Sequence, residues 1–265
     1  MRTFDVPLQE VYMTAYLQEK MPADPEEYRL PAIVVYPGGG YRHLSPREAE
    51  PIVMEFAAAG YQVFVLYYSL APKRYPAPLL DGARALATIR EHAEEWCVDP
   101  ARIAVCGFSA GGHAAALLGC LWNDPVIAEE GISNEKARPD AVILGYPVIT
   151  SEKGKCHEGS FECLLGDALE EKRGEMSLET RVGEKNPPTF LWHTAADQAV
   201  PVASSLRMAA ALAEHKVPFE LHVFPRGNHG LSLANRRTSG GNPDGELPEV
   251  AQWMRLCKDW LQRTL

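Results

Sequence analysis

A chain of 265 residues, 46% of them hydrophobic, is long enough to bury one sizeable core and short enough to do so as a single α/β domain. Its formal net charge of -9 excludes the basic footprint that nucleic acid or an anionic membrane requires, so neither is expected as a partner. Met1 to Pro7 holds no apolar core of signal-peptide length, no run is long enough to cross a bilayer, and the six cysteines form no C-x-x-C pair; we expect a cytoplasmic protein with buried free thiols.

In chain order, Val11 to Gln18 has the β-branched and aromatic character of a first strand, and the charged, proline-punctuated stretch from Glu19 to Pro31 reads as a loop. Ala32 to Tyr36 is a continuous apolar run of buried-strand type that stops at Pro37-Gly38-Gly39-Gly40-Tyr41, where three glycines permit close backbone approach. Ser45-Pro46-Arg47-Glu48 has the spacing of a capping box with proline at the first helical position, so Glu48 is read as a cap rather than a catalyst. The helix it opens carries Ile52, Phe56 and Ala59 on one face and ends at Gly60. Tyr61 to Tyr68 is the next strand and Leu79 to Trp96 the next helix.

After the turn pair Asp99-Pro100, the short buried strand Ile103 to Cys106 leads into Gly107-Phe108-Ser109-Ala110-Gly111 and a helix-forming run from Ala114 to Leu118. Asp140 to Pro147 is a further strand, expected beside that of Ser109. From Glu152 to Asn186 the rhythm breaks into charged sequence with helix-like pieces at Phe161 to Glu171 and Leu178 to Val182, and we read residues 152–186 as a lid-like insertion. Pro188 to His193 (strand), Pro201 to His215 (helix) and Phe219 to Phe224 (strand) resume the pattern, and Ser239 to Gly245 is a surface loop. Leu247 to Leu265 places Val250, Trp253, Cys257, Trp260 and Leu261 on one helical face. Strands alternating with helices predict a mainly parallel sheet with helices on both faces, in one domain over residues 1–265.

The G-x-S-x-G at 107–111 has the form of a nucleophile elbow, in which Ser109 sits on a sharp strand-to-helix turn and the Ala110 amide points where a negative oxygen forms. Alone, the pattern equally describes a tight turn with a capping serine. In a parallel sheet, however, the strand C-termini share one rim, so residues just past each strand converge. Asp197 stands in the turn after the Pro188–His193 strand, and His229 in the turn Pro225 to Gly230 after the last strand. Singly, each has an ordinary role in a turn or at the surface. Jointly, Ser109, Asp197 and His229 follow the order serine, acid, histidine, each in a post-strand turn. A serine hydroxyl is a weak nucleophile until an imidazole takes its proton, and a carboxylate fixes the imidazole's tautomer and stabilises the cation. Gly39 and Gly40 then offer unobstructed N–H groups to the oxyanion beside that of Ala110.

These segments resemble the α/β-hydrolase esterases related to hormone-sensitive lipase, and within them the acetyl-xylan-esterase and feruloyl-esterase-like branch. The carrying residues are Tyr36 to Tyr41, Asp99 through Gly107 to His113, Pro187 to Thr194 with Asp197 and Val200-Pro201, and Phe224-Pro225 with Gly227 and His229-Gly230. Pro37 holds the place of the histidine that precedes the glycines in lipase-like relatives, as in the carbohydrate-esterase-like branch. The resemblance implies the α/β-hydrolase fold, with Ser109 as nucleophile, His229 as base, Asp197 as its orienter, and Gly39, Gly40 and Ala110 as oxyanion donors. It also implies hydrolysis of short acyl esters, such as acetyl groups on sugars, without a cofactor.

Among the other imidazoles, His113 points along the helix after the elbow and is assigned a packing or supporting role, His193 precedes the acid, and His157 lacks companions for a metal site, so no metal is expected. Tyr41 and Tyr146, both just past strands, are candidates to line the substrate pocket, with core or rim packing the equal alternative for each. An amidase, aminopeptidase, aryl-formamidase or lactonase would use the same machinery, and a catalytically silent binding protein is the remaining alternative. The sequence leaves acyl length, alcohol moiety and oligomeric state open, a homodimer included.

Overall fold

The computed structural model describes residues 1–265. Eight strands, β1 (Arg2–Leu8), β2 (Val11–Leu17), β3 (Leu30–Tyr36), β4 (Gln62–Tyr67), β5 (Val98–Phe108), β6 (Ala141–Gly145), β7 (Thr189–Thr194) and β8 (Phe219–Phe224), form one sheet in the order β1-β2-β4-β3-β5-β6-β7-β8. From β4 to β8 all neighbours are parallel; β1 and β2 are antiparallel at one edge.

The central strands are apolar throughout because both of their faces are covered. Ala32, Val34 and Tyr36 of β3, with Ile103 and Val105 of β5, enter one core; Ile33 and Val35, with Ala104, Cys106 and Phe108, enter the other. The first core is closed by α2 (Ala77–Glu91) and α3 (Ser109–Leu121), preceded in the chain by α1 (Glu50–Ala57), which belongs to the second core. The short helices α4 (Pro125–Glu129) and α5 (Asn134–Ala137) follow α3, and α6 (Glu158–Leu165) and α7 (Leu169–Lys172) lie in the insertion. Next come α8 (Ala203–Glu214), α9 (Pro248–Ala251) and α10 (Trp253–Thr264). All five apolar residues expected on the C-terminal face are buried in the second core.

Two expectations are corrected. β1 precedes the strand expected as the first: Phe4, Val6 and Leu8 alternate as a strand requires, but Pro7 interrupts them, which an edge strand accommodates. The turn pair Asp99-Pro100 lies inside β5, where the pairing with β3 shifts register between Leu30 and Ala32. The lid-like insertion is anchored to the body, since Phe161, Leu164, Leu165, Met176, Leu178 and Val182 are buried in the first core.

His113 ties the insertion to the sheet. Its Nε2–H donates to the Met176 carbonyl at 3.1 Å, which leaves Nδ1 to accept the Tyr41 hydroxyl at 2.8 Å. Burial pushes this imidazole down to about 4. An unfolded histidine titrates near about 6.5, so as pH falls from there to 4 the unfolded chain gains a proton that the folded one refuses, and stability drops by about 3 kcal/mol before levelling off. Denaturant midpoints of wild type and His113→Gln across this range are expected to show the gap between them narrowing towards acid; a constant gap would contradict the assignment.

No helix is long and apolar enough to cross a membrane.

Candidate active site

Ser109 follows β5 and begins α3 with a left-handed φ of 53°, a conformation that lifts its side chain off the strand end. The tight turn depends on the two flanking glycines. A Cβ at Gly107 would stand 2.2 Å from the Gly111 carbonyl oxygen, and one at Gly111 would stand 2.2 Å from that of Tyr36.

The turn after β8 brings His229 over the elbow, and the Thr194 hydroxyl at the end of β7 anchors that turn by donating to the Gly227 carbonyl at 2.8 Å. His229 Nε2 lies 2.7 Å from Ser109 Oγ, and His229 Nδ1 lies 2.7 Å from Asp197 Oδ2. The other carboxylate oxygen, Oδ1, accepts the amides of Ala199 and Val200, each at 2.9 Å. Burial alone would raise the Asp197 carboxyl, but hydrogen bonds from His193, His229 and the Val200 amide outweigh it and hold the group well below the usual carboxylate range. An acceptor that stays ionised fixes the proton of neutral His229 on Nδ1 and leaves Nε2 free to take one from serine.

Gly39 and Gly40 lie beside the serine, and neither amide donates within the protein. Gly39 has φ 134°, and a Cβ there would stand 2.1 Å from the His43 carbonyl oxygen, so the loop closes only with glycine. The Ala110 amide is in the first turn of α3, where no intrahelical acceptor exists. Ser109, His229, Gly39 and Gly40 thus line one cavity of about 420 Å³, with Asp197 held behind His229. No group of three or more His, Cys, Asp or Glu side chains is arranged to hold a metal.

Residues 18–212 match the BD-FAE family. The chain belongs to that family. Among curated relatives, this BD-FAE chain is 37% identical over 235 residues to endo-1,4-beta-xylanase B of Butyrivibrio fibrisolvens (87% of this chain, 37% of that protein). It is 27% identical over 230 residues to an acetylxylan esterase of Xylanibacter ruminicola (84% and 45%). It therefore spans less than half the length of either. Solved structures cover it more fully. An acetyl ester-xyloside bifunctional hydrolase of Caldicellulosiruptor lactoaceticus has 39% identity and a TM-score of 0.79 over 96% of this chain and 88% of that one. A carboxylesterase of Lactobacillus plantarum has 30% identity and a TM-score of 0.88 over 99% and 98%. The fold is that of the α/β-hydrolases.

Two other expectations do not hold in the BD-FAE site. Tyr41 and Tyr146 do not line the cavity; each is 1% exposed. Their backbones are left-handed, φ 58° and 36°, and the side chains turn into the protein. Tyr41 reaches His113, while the Tyr146 ring packs edge-on against the His229 ring with centroids 5.0 Å apart.

Glu48 is not a helix cap. The Ser45 side chain makes no capping bond, Pro46–Glu48 is a single 3-10 turn, and Glu48 points inward at 2% exposure. Its carboxylate accepts the Gly38 amide at 2.8 Å and the Tyr146 hydroxyl at 2.6 Å, and the Tyr146 oxygen accepts the Ser232 amide at 2.9 Å. One carboxylate thus joins the glycine loop to the segments after β6 and β8. Glu48→Ala leaves two buried donors without an acceptor and is expected to cost about 3 kcal/mol in a urea titration; a loss under about 1 kcal/mol would contradict this placement.

His193, set aside on chain order, is fully buried beneath the acid: Nε2 lies 3.0 Å from the Val200 carbonyl and 3.4 Å from Asp197 Oδ2, and Nδ1 2.8 Å from Ser205 Oγ. It braces the Asp197 turn. His157 reaches the cavity from the insertion, with Nδ1 2.8 Å from Ser160 Oγ.

Proposed function

We propose that this protein is a serine carboxylesterase that cleaves short acyl esters, with acetyl esters of sugars or xylo-oligosaccharides as its substrates, through a Ser109–His229–Asp197 acyl-enzyme mechanism. The observation that carries the reading is the His229 ring, 2.7 Å from Ser109 Oγ on one side and 2.7 Å from Asp197 Oδ2 on the other. As Ser109 Oγ attacks the ester carbonyl, His229 Nε2 takes its proton and Asp197 stabilises the imidazolium. The oxyanion gathers the amides of Gly39, Gly40 and Ala110, each worth about 3 kcal/mol in the transition state. Collapse expels the alcohol with the His229 proton; water, activated by the same imidazole, then releases the acid and regenerates Ser109.

The sugar-ester assignment is supported by the acetyl ester-xyloside hydrolase likeness and by a cavity lining without hydrophobic side chains. We read the chain as cytoplasmic on its six free thiols. A panel of p-nitrophenyl acetate, butyrate and octanoate, acetylated xylo-oligosaccharides, formyl amides and aminoacyl anilides tests the proposal. Highest kcat/KM on acetyl esters is expected; preference for the amides or anilides would overturn it.

A further inference from the structure

We infer that the alcohol side of the substrate carries a carboxylate, so that the site is built for acyl esters of acidic sugars. The inference rests on the hydrolase reading of this site and adds the charge of the group being deacylated.

The cavity above Ser109 and His229 presents no hydrophobic side chain, so it offers no seat for a long acyl chain and many partners for a hydroxyl-rich ligand. Two arginines, Arg42 and Arg47, line it. Both residues are exposed, and neither has a carboxylate within 4.0 Å. Arg47 Nη1 donates only to the Gly230 carbonyl at 3.2 Å, and Arg42 has only the Cys163 thiol, 3.9 Å away.

The acids nearby are already engaged. Glu48 reaches the cavity, but its oxygens are taken by the Gly38 amide and the Tyr146 hydroxyl, and the Asp197 carboxylate is buried behind His229. A chain of net charge -9 thus keeps two guanidinium groups without ionic partners at the mouth of its cavity. Arginine presents a planar fork that matches a carboxylate in two parallel hydrogen bonds, and a neutral sugar ester uses neither charge. At this exposure the gain is modest and salt-sensitive, about tenfold in kcat/KM.

The test compares three substrates: acetylated xylo-oligosaccharides bearing a glucuronic acid branch, the same oligosaccharides with that carboxyl reduced to a primary alcohol, and p-nitrophenyl acetate. The acidic sugar is expected to be preferred over the reduced one by about tenfold, less at 0.5 M NaCl, with the ratio falling to within about twofold in Arg42→Gln/Arg47→Gln. Turnover of the aryl ester without a preference for the acidic sugar, or a preference that survives the double substitution, overturns the inference and leaves the esterase reading standing. Failure to turn over any of the three overturns the esterase reading itself.

Discussion

Ser109→Ala is expected to reduce kcat by about 10⁶, the scale found when the nucleophile of a serine-hydrolase triad is removed, with folding intact. The elbow stores its strain in backbone geometry, and alanine at φ 53° is no more strained than serine there, so the substitution deletes the Oγ and little else. What remains are the unengaged amides of Gly39 and Gly40 and that of Ala110, which still polarise a bound ester. They account for a residual rate about 10³ to 10⁴ above water. Stopped-flow burst analysis with p-nitrophenyl acetate distinguishes the cases: wild type shows an acyl-enzyme burst and the variant none. A variant with more than about a hundredth of wild-type kcat would remove Ser109 from the mechanism.

Asp197→Asn is expected to lower kcat by about 10⁴ while the protein stays folded, for a reason visible in the hydrogen bonds around the acid. Oδ1 accepts two amides, from Ala199 and Val200, so the asparagine carbonyl must take that position and its NH₂ must take the place of Oδ2. That donor then faces His229 Nδ1, which can respond only by becoming an acceptor. The ring proton moves to Nε2, opposite Ser109 Oγ, and the base is blocked by its own hydrogen. The lowered Asp197 pKa fixes the sign of two pH effects. The carboxylate remains ionised well below the usual carboxylate range, so its own protonation does not set the acid limb of the rate profile. Its contribution to stability is fully present above the unfolded value of about 3.9 and is lost only as pH falls below it, in wild type and not in the asparagine variant. Near-normal kcat in Asp197→Asn, with another carboxylate substitution abolishing the rate, would move the acid elsewhere.

The triad was legible in the sequence because its logic is topological: three residues, each just past a strand of a parallel sheet, must meet at one rim however far apart they lie in the chain. The central strands were legible for a related reason, since coverage on both faces leaves runs such as Ala32 to Tyr36 without a polar interruption. Side-chain direction at the rim was not. Tyr41 and Tyr146 stand where a pocket wall was expected, and only their positive φ values turn them inward; nothing in their neighbours' identities announces that. Glu48 carried the local spacing of a cap, while its true partners, Gly38 and Tyr146, lie 10 and 98 residues away. Chain order alone places His193 outside the triad, although its position four residues before Asp197 sets its ring 3.4 Å from the carboxylate. In each case a non-local hydrogen bond decided the role, and spacing rules see only local ones.

The central claim is that Ser109 becomes covalently acylated. A fluorophosphonate reaction followed by peptide mass spectrometry tests it most directly, because the reagent, losing fluoride, phosphonylates only a hydroxyl that a neighbouring imidazole has activated. One adduct per chain, on Ser109, is expected, with activity lost in proportion to its formation and no adduct in His229→Ala. An adduct on a different residue, or full activity retained with Ser109 stoichiometrically modified, would contradict the account.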